Sequence, residues 1–496
     1  MNLTKLIDFG DPLMHIKFTM NARLDTLTSD IIEIRNETNP VVRFFLKLKY
    51  FFKYEDFPPT DSVSTIRFDA IPSINSMCRL IQNAPEKGDG RIRIRDDSSA
   101  YTLTYLKCTN MWSVAQCVIL NNGEISNELS GLKTITHQEM LKFMEIQPER
   151  ESAISAKDYS SSIKQSFKAN QEVLGSILSS TPELLPFFKG LQHYSDKYSP
   201  ADGHKFTVGD VCGSPVTMLL AGYASGTLKY SGQPENETNF MTDIMNEYKE
   251  IIANWDWNWN WNEQTPQKMS ALTSNLMDHL QPIVSEPLDS GAHSGLLFLG
   301  DNINDRMDFD YEIQARVISL LSSAGAEFLR GNHDVFGFGF SGWYNFPRNL
   351  NEQRITVQLR NFFLPALYVS ETNTLYTHNG VKLDETGDRV LYAFPERDGL
   401  ELNEQEAKGK QICDYITNNI SFYQDDSGDE FPESLKKSPT GFRPTMQELN
   451  SCAQKLGIKQ VAGHDGTGVQ SEGNATRING FNTDGYIVPI AAITGM

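Results

Sequence analysis

LLFLGDNINDR at 296–306 and AEFLRGNHD at 326–334 decide the fold. Leu296-Leu297-Phe298-Leu299 is a short unbroken apolar run, the pattern of a strand buried on both faces. It runs into Gly300-Asp301, so a carboxylate is carried to the C-terminal end of a buried strand. Residues 309–324 then place Tyr311, Ile313, Val317, Ile318, Leu320 and Leu321 at helical spacing. Glu327 to Arg330 reads as a second short strand, ending in Gly331-Asn332-His333-Asp334. Strand, helix, strand is a right-handed crossover, which sets both polar tips on one edge of a parallel sheet. Asp, Asn and His gathered there are oxygen and imidazole donors of the kind that hold a divalent metal ion.

Outward from this core the same device recurs. KFTVGDVCGSPVTMLLAGY (205–223) reads as a strand, a Gly209-Asp210 tip, a turn and a helix. TLYTHNG (374–380) is a strand ending at His378. A helix over 445–456 leads to the strand Lys459 to Ala462 and its tip Gly463-His464-Asp465, and residues 477–493 hold two further short strands. Residues 226–292 read as a long insertion, and 395–445 as an acidic, proline-containing excursion that includes QDDSGDEFPES. Inside the insertion, WDWNWNWNE sets Trp255, Trp257, Trp259 and Trp261 on one face of an extended segment. Four exposed indoles would aggregate, so that face is expected either to be buried on the chain's own domain or to serve as a cap or partner surface.

With 496 residues the chain is too long for one core and fits two to four domains. Its net charge of −19 excludes nucleic acid as the main partner, because a phosphate backbone demands a basic face. The six cysteines form no CxxC pair, which fits reduced thiols of a cytosol. Neither a signal-peptide pattern nor an apolar run long enough to span a membrane is present. Residues 1–60 form an N-terminal segment in which RFFLKLKYFFKY (43–54) is either a basic amphipathic docking element or a packed one with its lysines turned outward. Residues 61–150 read as a separate α+β domain. It has a helix over 71–83, RIRIR (91–95) as a strand with Ile92 and Ile94 on one face, strands over 101–106 and 112–120, and a helix over 136–144. Residues 151–200 have helical spacing and read as a linker without chemistry.

The five strand tips, taken in order, resemble the metallophosphoesterase superfamily, and within it the PPP-type (calcineurin-like) phosphatases with GDxHG, GDxxDRG, GNHE, a lone His and GH. The spelling GDNINDR, with one more residue between its aspartates, resembles the PPP-like effector phosphatases that some intracellular bacteria inject into host cells. The resemblance covers residues 201–496 and implies an α/β fold, a four-layer β-sandwich flanked by helices. It also implies two divalent ions, Mn2+ first, with Fe, Zn or Mg as alternatives. By that likeness Asp210 holds the first ion and Asp301 bridges both. Asn332, His378 and His464 hold the second. His333 is the proton donor, Asp305 orients it, and Arg306 binds the phosphate; Arg443 is the choice for a second arginine, with Arg389 and Arg397 as alternatives. Cys212 stands where the family has a histidine ligand. Either its thiolate ligates, or it is a small buried residue and the first ion has one ligand fewer.

The resemblance further implies a phosphorylated host protein as substrate, phosphotyrosine foremost, in a host cytosol reached without a cleaved signal peptide. Gly90 to Ser98 also resembles the G-x-F-L-V-R-x-S stretch of SH2 domains, and ITHQEMLKF (135–143) their second helix. That implies an SH2-like unit in which Arg95 and Ser98 bind phosphotyrosine, although Asp97 departs from the pattern. A cysteine-dependent phosphatase is excluded, since none of the six cysteines is followed six residues later by arginine. A serine/threonine phosphatase, a nucleotide polyphosphate hydrolase and a catalytically impaired phosphoprotein receptor remain as alternatives.

Overall fold

The computed structural model describes residues 81–95, 100–119, 125–143, 156–191, 205–209, 211, 213–253, 265–283, 294–303, 310–334, 350–394, 399–420, 442–464, 468–479 and 490–493. The chain divides into two compact units, Met1–Ser152 and Ala153–Met496. Residues 43–54, residues 71–80 of the helix expected over 71–83, and the four tryptophans at 255–261 lie outside the described residues. Among the described residues no helix is long and apolar enough to cross a membrane.

The first unit is an antiparallel meander, β1 (Gly90–Arg95), β2 (Ala100–Leu106), β3 (Met111–Ile119) and β4 (Ile125–Thr136), followed by the helix His137–Phe143. Ile92 pairs with Leu103 and Arg93 with Thr102, so the two registers of RIRIR lie on opposite faces. Leu103, Tyr105, Trp112 and Val114 form the buried face. The twelve-residue β4 was not expected from ISNELSGLKTIT, whose Gly, Asn and Glu weaken the strand pattern. Its pairing with β3 is interrupted by two register shifts. At the end of the sheet Trp112 donates its indole N–H to His137 Nδ1 at 3.0 Å.

In the second unit the strands are β5 (Lys205–Val208), β6 (Leu228–Tyr230), β7 (Leu280–Pro282), β8 (Leu296–Phe298) and β9 (Glu327–Phe328). These are followed by β10 (Leu367–Val369), β11 (Thr374–Thr377), β12 (Lys382–Leu383) and β13 (Val390–Leu391), and then by β14 (Lys459–Ala462), β15 (Gly468–Glu472), β16 (Ala475–Asn479) and β17 (Ile490–Ile493). One sheet runs β17-β5-β8-β9 and a second β10-β11-β14-β16-β15. Strands β5, β8 and β9 are mutually parallel, and so are β11, β14 and β16. The sheets meet through one apolar cluster. Leu297, Leu299 and Leu329 of the first pack on Val369, Tyr376, Val461 and Ile478 of the second. Alternation sends Phe298 to the other face, where its ring stacks on Phe328 with centroids 4.6 Å apart. This is why 296–299 is apolar at every position.

Helices cover that outer face. Pro215–Ala224 and Tyr311–Ser323 approach so closely that a Cβ on Gly222 would lie 2.5 Å from Leu321 Cδ2. The helix Ala156–Ser180 buries Tyr159, Ile163, Phe167, Leu174 and Ile177 in the same unit. Its Asn170 Nδ2 donates to the carbonyl of Tyr223, in the last turn of Pro215–Ala224, and to that of Leu228 in β6, at 2.7 and 2.9 Å. Among its described residues the insertion holds the helices Glu237–Ala253 and Thr265–His279 and the β6–β7 ribbon. Within the excursion expected over 395–445, the helix Lys408–Asn419 buries Ile412 and Ile416.

Burial holds the His137 imidazole down, to about 4 from the ordinary 6.5. The unfolded chain therefore takes up a proton that the folded unit resists, and this contribution to stability is lost as pH falls from about 6.5 towards 4. Urea unfolding of the first unit, followed by pulse proteolysis, is expected to show a lower midpoint at pH 5 than at pH 7. His137→Gln should flatten that dependence.

Candidate metal centre

Four strand tips converge because of register. Phe298 of β8 pairs with Phe328 of β9, and Thr377 of β11 with Ala462 of β14, so each pair of parallel strands ends at one level. One hydrogen bond joins the two sheets there: His378 Nδ1 donates to the Leu299 carbonyl at 2.8 Å. Within the second sheet, Gly463 N donates to the His378 carbonyl at 2.9 Å.

The tips themselves are strained or tightly packed. Asp301 and His464 have φ of 54° and 69°, in the left-handed region that side chains other than glycine enter at about 1 kcal/mol or more each. Gly331 allows the β8 and β9 tips to touch: a Cβ there would lie 2.1 Å from Asp301 Oδ1. With glycine present, the His333 amide donates to that same oxygen at 2.9 Å. Asp334 staples the tips from beneath. Its carboxylate accepts from Ile303 N at 2.8 Å, Gly331 N at 2.7 Å and Asn302 Nδ2 at 3.1 Å. Complete burial pushes its carboxyl up to about 7 against the pull of those hydrogen bonds. Sequence reasoning gave Asp334 no role; the signal was a carboxylate directly after the tip histidine.

The side-chain atoms of Asp301, His378 and His464 lie within 4.8 Å of one another, and all three residues are buried. Their chemistry tests whether a metal ion fits. A carbonyl oxygen only accepts, so the contact with Leu299 fixes the proton of neutral His378 on Nδ1 and leaves Nε2 a bare lone pair. That lone pair faces Asn332 Oδ1 at 2.8 Å, His464 Nδ1 at 3.1 Å and Asp301 Oδ1 at 3.5 Å. Turning the Asn332 amide over, or placing the His464 proton on Nδ1, relieves one of these contacts, but the single Nε2 lone pair accepts one proton and still faces the Asp301 carboxylate. A second proton on His378 would serve one acceptor at a time, whereas a cation among them serves all four donors at once. Among the described residues the buried Asn332 Nδ2 has no acceptor, as expected for an amide oriented by what its oxygen binds. The donor set fits a divalent ion, with one carboxylate, one amide oxygen and two imidazoles. His333 Nε2 stands beside this group, 3.9 Å from Asp301 Oδ2.

Asp301, Asn332, His333, His378 and His464 are thus brought together. Asp210, Cys212, Asp305, Arg306, Arg397 and Ser98 lie outside the described residues, as does the side chain of Arg95, which ends β1. The neighbours of the first tip are described. Val208 pairs with Phe298, Leu299 N donates to Val208 O, and Gly213 N donates to the Asp301 carbonyl, both at 2.9 Å. Arg443 is exposed between buried Phe442 and Pro444, while Arg389 pairs with Glu401 at 2.6 Å.

Residues 271–465 match the calcineurin-like phosphoesterase family. A calcineurin-like metallophosphoesterase domain lies here. The matched span holds Asp301, Asn332, His333, His378 and His464 and begins after the Asp210 tip. The uncharacterized protein YhiJ of Escherichia coli (strain K12) is 24% identical over 284 residues, 52% of this chain and 50% of that protein. The chain therefore spans about half the length of the curated relative it matches. No solved structure matches.

Gly331→Ala is expected to weaken divalent-metal binding by roughly 10–100-fold, the scale of losses when a ligand's supporting contacts are disturbed. Calorimetric titration with Mn2+ measures it; unchanged affinity would show that the close approach of the tips does not matter.

Proposed function

We propose that this chain is a metal-dependent phosphoprotein phosphatase that hydrolyses a phosphate monoester, phosphotyrosine foremost. The observation that carries the proposal is the convergence of Asp301, Asn332, His378 and His464 lone pairs on one buried point beside His333. The match to a phosphoesterase family over 271–465 gives that point its chemistry. Two divalent ions, when bound, activate water and balance charge on the phosphoryl oxygens. Asp210 and Asp301, with or without Cys212, would hold the first ion, and Asp301, Asn332, His378 and His464 would hold the second. The protein's own part is to hold those ligands in a water-poor cleft and to deliver a proton. His333 protonates the leaving oxygen, Asp305 orients His333, and Arg306 and Arg443 bind the phosphoryl oxygens.

The net charge of −19 and a separate unit before the catalytic one support a protein substrate over a nucleotide. The likeness of GDNINDR to injected effector phosphatases extends the proposal to a phosphorylated host protein in a host cytosol. The likeness of Gly90 to Ser98 to the SH2 stretch extends the proposal to an SH2-like first unit with Arg95 as its phosphate ligand.

With Mn2+ the chain is expected to hydrolyse p-nitrophenyl phosphate, and Asp301→Asn to lower kcat at least a thousandfold. Equal rates for wild type and variant would overturn the enzymatic reading. In a phosphopeptide panel, phosphotyrosine peptides should exceed phosphoserine and phosphothreonine peptides in kcat/KM; the reverse order would make the chain a serine/threonine phosphatase. Arg95→Ala should abolish capture of a phosphotyrosine peptide by the full chain carrying Asp301→Asn, and undiminished capture would refute the SH2-like role.

A further inference from the structure

Two buried polar side chains next to the metal ligands have a common target outside the metal centre. Asn379 follows His378, is 2% exposed, and donates its Nδ2 to the Phe442 carbonyl at 3.3 Å. Arg477 is 6% exposed in β16, in register with Ala462 two residues before His464, and its Nη2 donates to the Pro444 carbonyl. The two carbonyls flank Arg443. Phe442 is held further by its ring, which packs on Tyr392 with centroids 6.3 Å apart and lies under Lys382 Nζ at 5.7 Å. On the other side Thr445 caps the helix Met446–Leu456 in a capping box, with Thr445 N donating to Glu448 Oε2 at 2.7 Å. Backbone on both sides of Arg443 is therefore pinned, while the Arg443 side chain is exposed.

Such an arrangement is costly unless it serves something. Burying the Arg477 guanidinium takes a charge out of water, which its contacts in the fold, the Pro444 carbonyl among them, must offset. The return is geometric. An arginine whose backbone root is fixed has only its side-chain torsions left to order when an anion arrives. We propose that Asn379 and Arg477 are positioning residues that hold Phe442–Pro444 so that Arg443 meets a phosphoryl oxygen of the substrate at the rim of the metal centre. The inference rests on the phosphatase reading. It adds the path by which the metal-bearing strand ends set the place of the phosphate-binding arginine: His378 to Asn379 to Phe442 on one side, and β14 to Arg477 to Pro444 on the other.

The test uses the full chain loaded with Mn2+ and two readouts: steady-state hydrolysis of p-nitrophenyl phosphate, and calorimetric titration with inorganic phosphate, which needs no turnover. Arg443→Ala is expected to raise KM and the phosphate Kd about tenfold. Arg477→Gln and Asn379→Ala should each raise both several-fold, with kcat changed less than threefold and metal content unaltered. Arg477→Lys, which keeps a donor and the charge, should recover part of the loss. The double variant Arg443→Ala/Arg477→Gln should bind phosphate no worse than Arg443→Ala alone, because Arg477 acts through Arg443. Additive losses, or losses in Arg477→Gln that track falling metal content, would overturn the proposal, as would unchanged phosphate affinity in both positioning variants. Absence of turnover in the wild type would count against the phosphatase reading, and the phosphate titration would still decide this one.

Discussion

The Leu299 carbonyl accepts a hydrogen bond from the Nδ1–H of His378, and the character of the whole centre follows from that hydrogen bond. It turns Nε2 into a lone pair that points at an amide oxygen, a second imidazole and a carboxylate, all buried. Gathered lone pairs repel unless something positive sits among them. The bond also crosses between sheets, since Leu299 extends β8 and His378 extends β11. The core that clasps the sheets, with Leu297, Leu299 and Leu329 against Tyr376 and Val461, is thus also what fixes the ligand geometry. Packing and chemistry are not separable here.

Backbone strain sits where that geometry is most demanding. Asp301 and His464 both occupy the left-handed region, and both contribute ligand atoms. Gly331 and Asp334 make the strain sustainable. The glycine removes the Cβ that would collide with Asp301, and Asp334 ties Gly331 N, Ile303 N and Asn302 together beneath the tips. A chain that needed only to fold would have little reason to bury a carboxylate there without a basic partner among those contacts.

Much of this was legible in the sequence, and the reasons are local. The apolar run Leu296–Leu299, the helix ending at Ser323 and the strands Thr374–Thr377 and Lys459–Ala462 announce themselves by periodicity, and each ends in a polar tip. Tips on neighbouring parallel strands of one sheet share an edge, which groups Asp301 with Asn332; His378 and His464, on the second sheet, are joined to them by the resemblance to the metallophosphoesterases. Less could be seen where stability comes from partners distant in the chain. β4 carries a weak strand pattern and is held by β3; the helix Lys408–Asn419 sits inside an acidic stretch and is held by Ile412 and Ile416. The parts played by Asp334, Asn379 and Arg477 lie in contacts with backbone groups, which leave no periodic trace. Nothing in their spacing distinguishes them from solvated polar residues.

The central claim is that the lone pairs around His378 Nε2 enclose a cation. Anomalous diffraction from crystals grown with Mn2+, recorded near the manganese edge, tests it most directly. The account predicts a peak about 2.0–2.3 Å from His378 Nε2, His464 Nδ1, Asn332 Oδ1 and an Asp301 carboxylate oxygen, the range of first-row metal–ligand bonds. A map with no peak at that point, and His378 Nε2 donating a hydrogen bond to Asn332 Oδ1 instead, would contradict it.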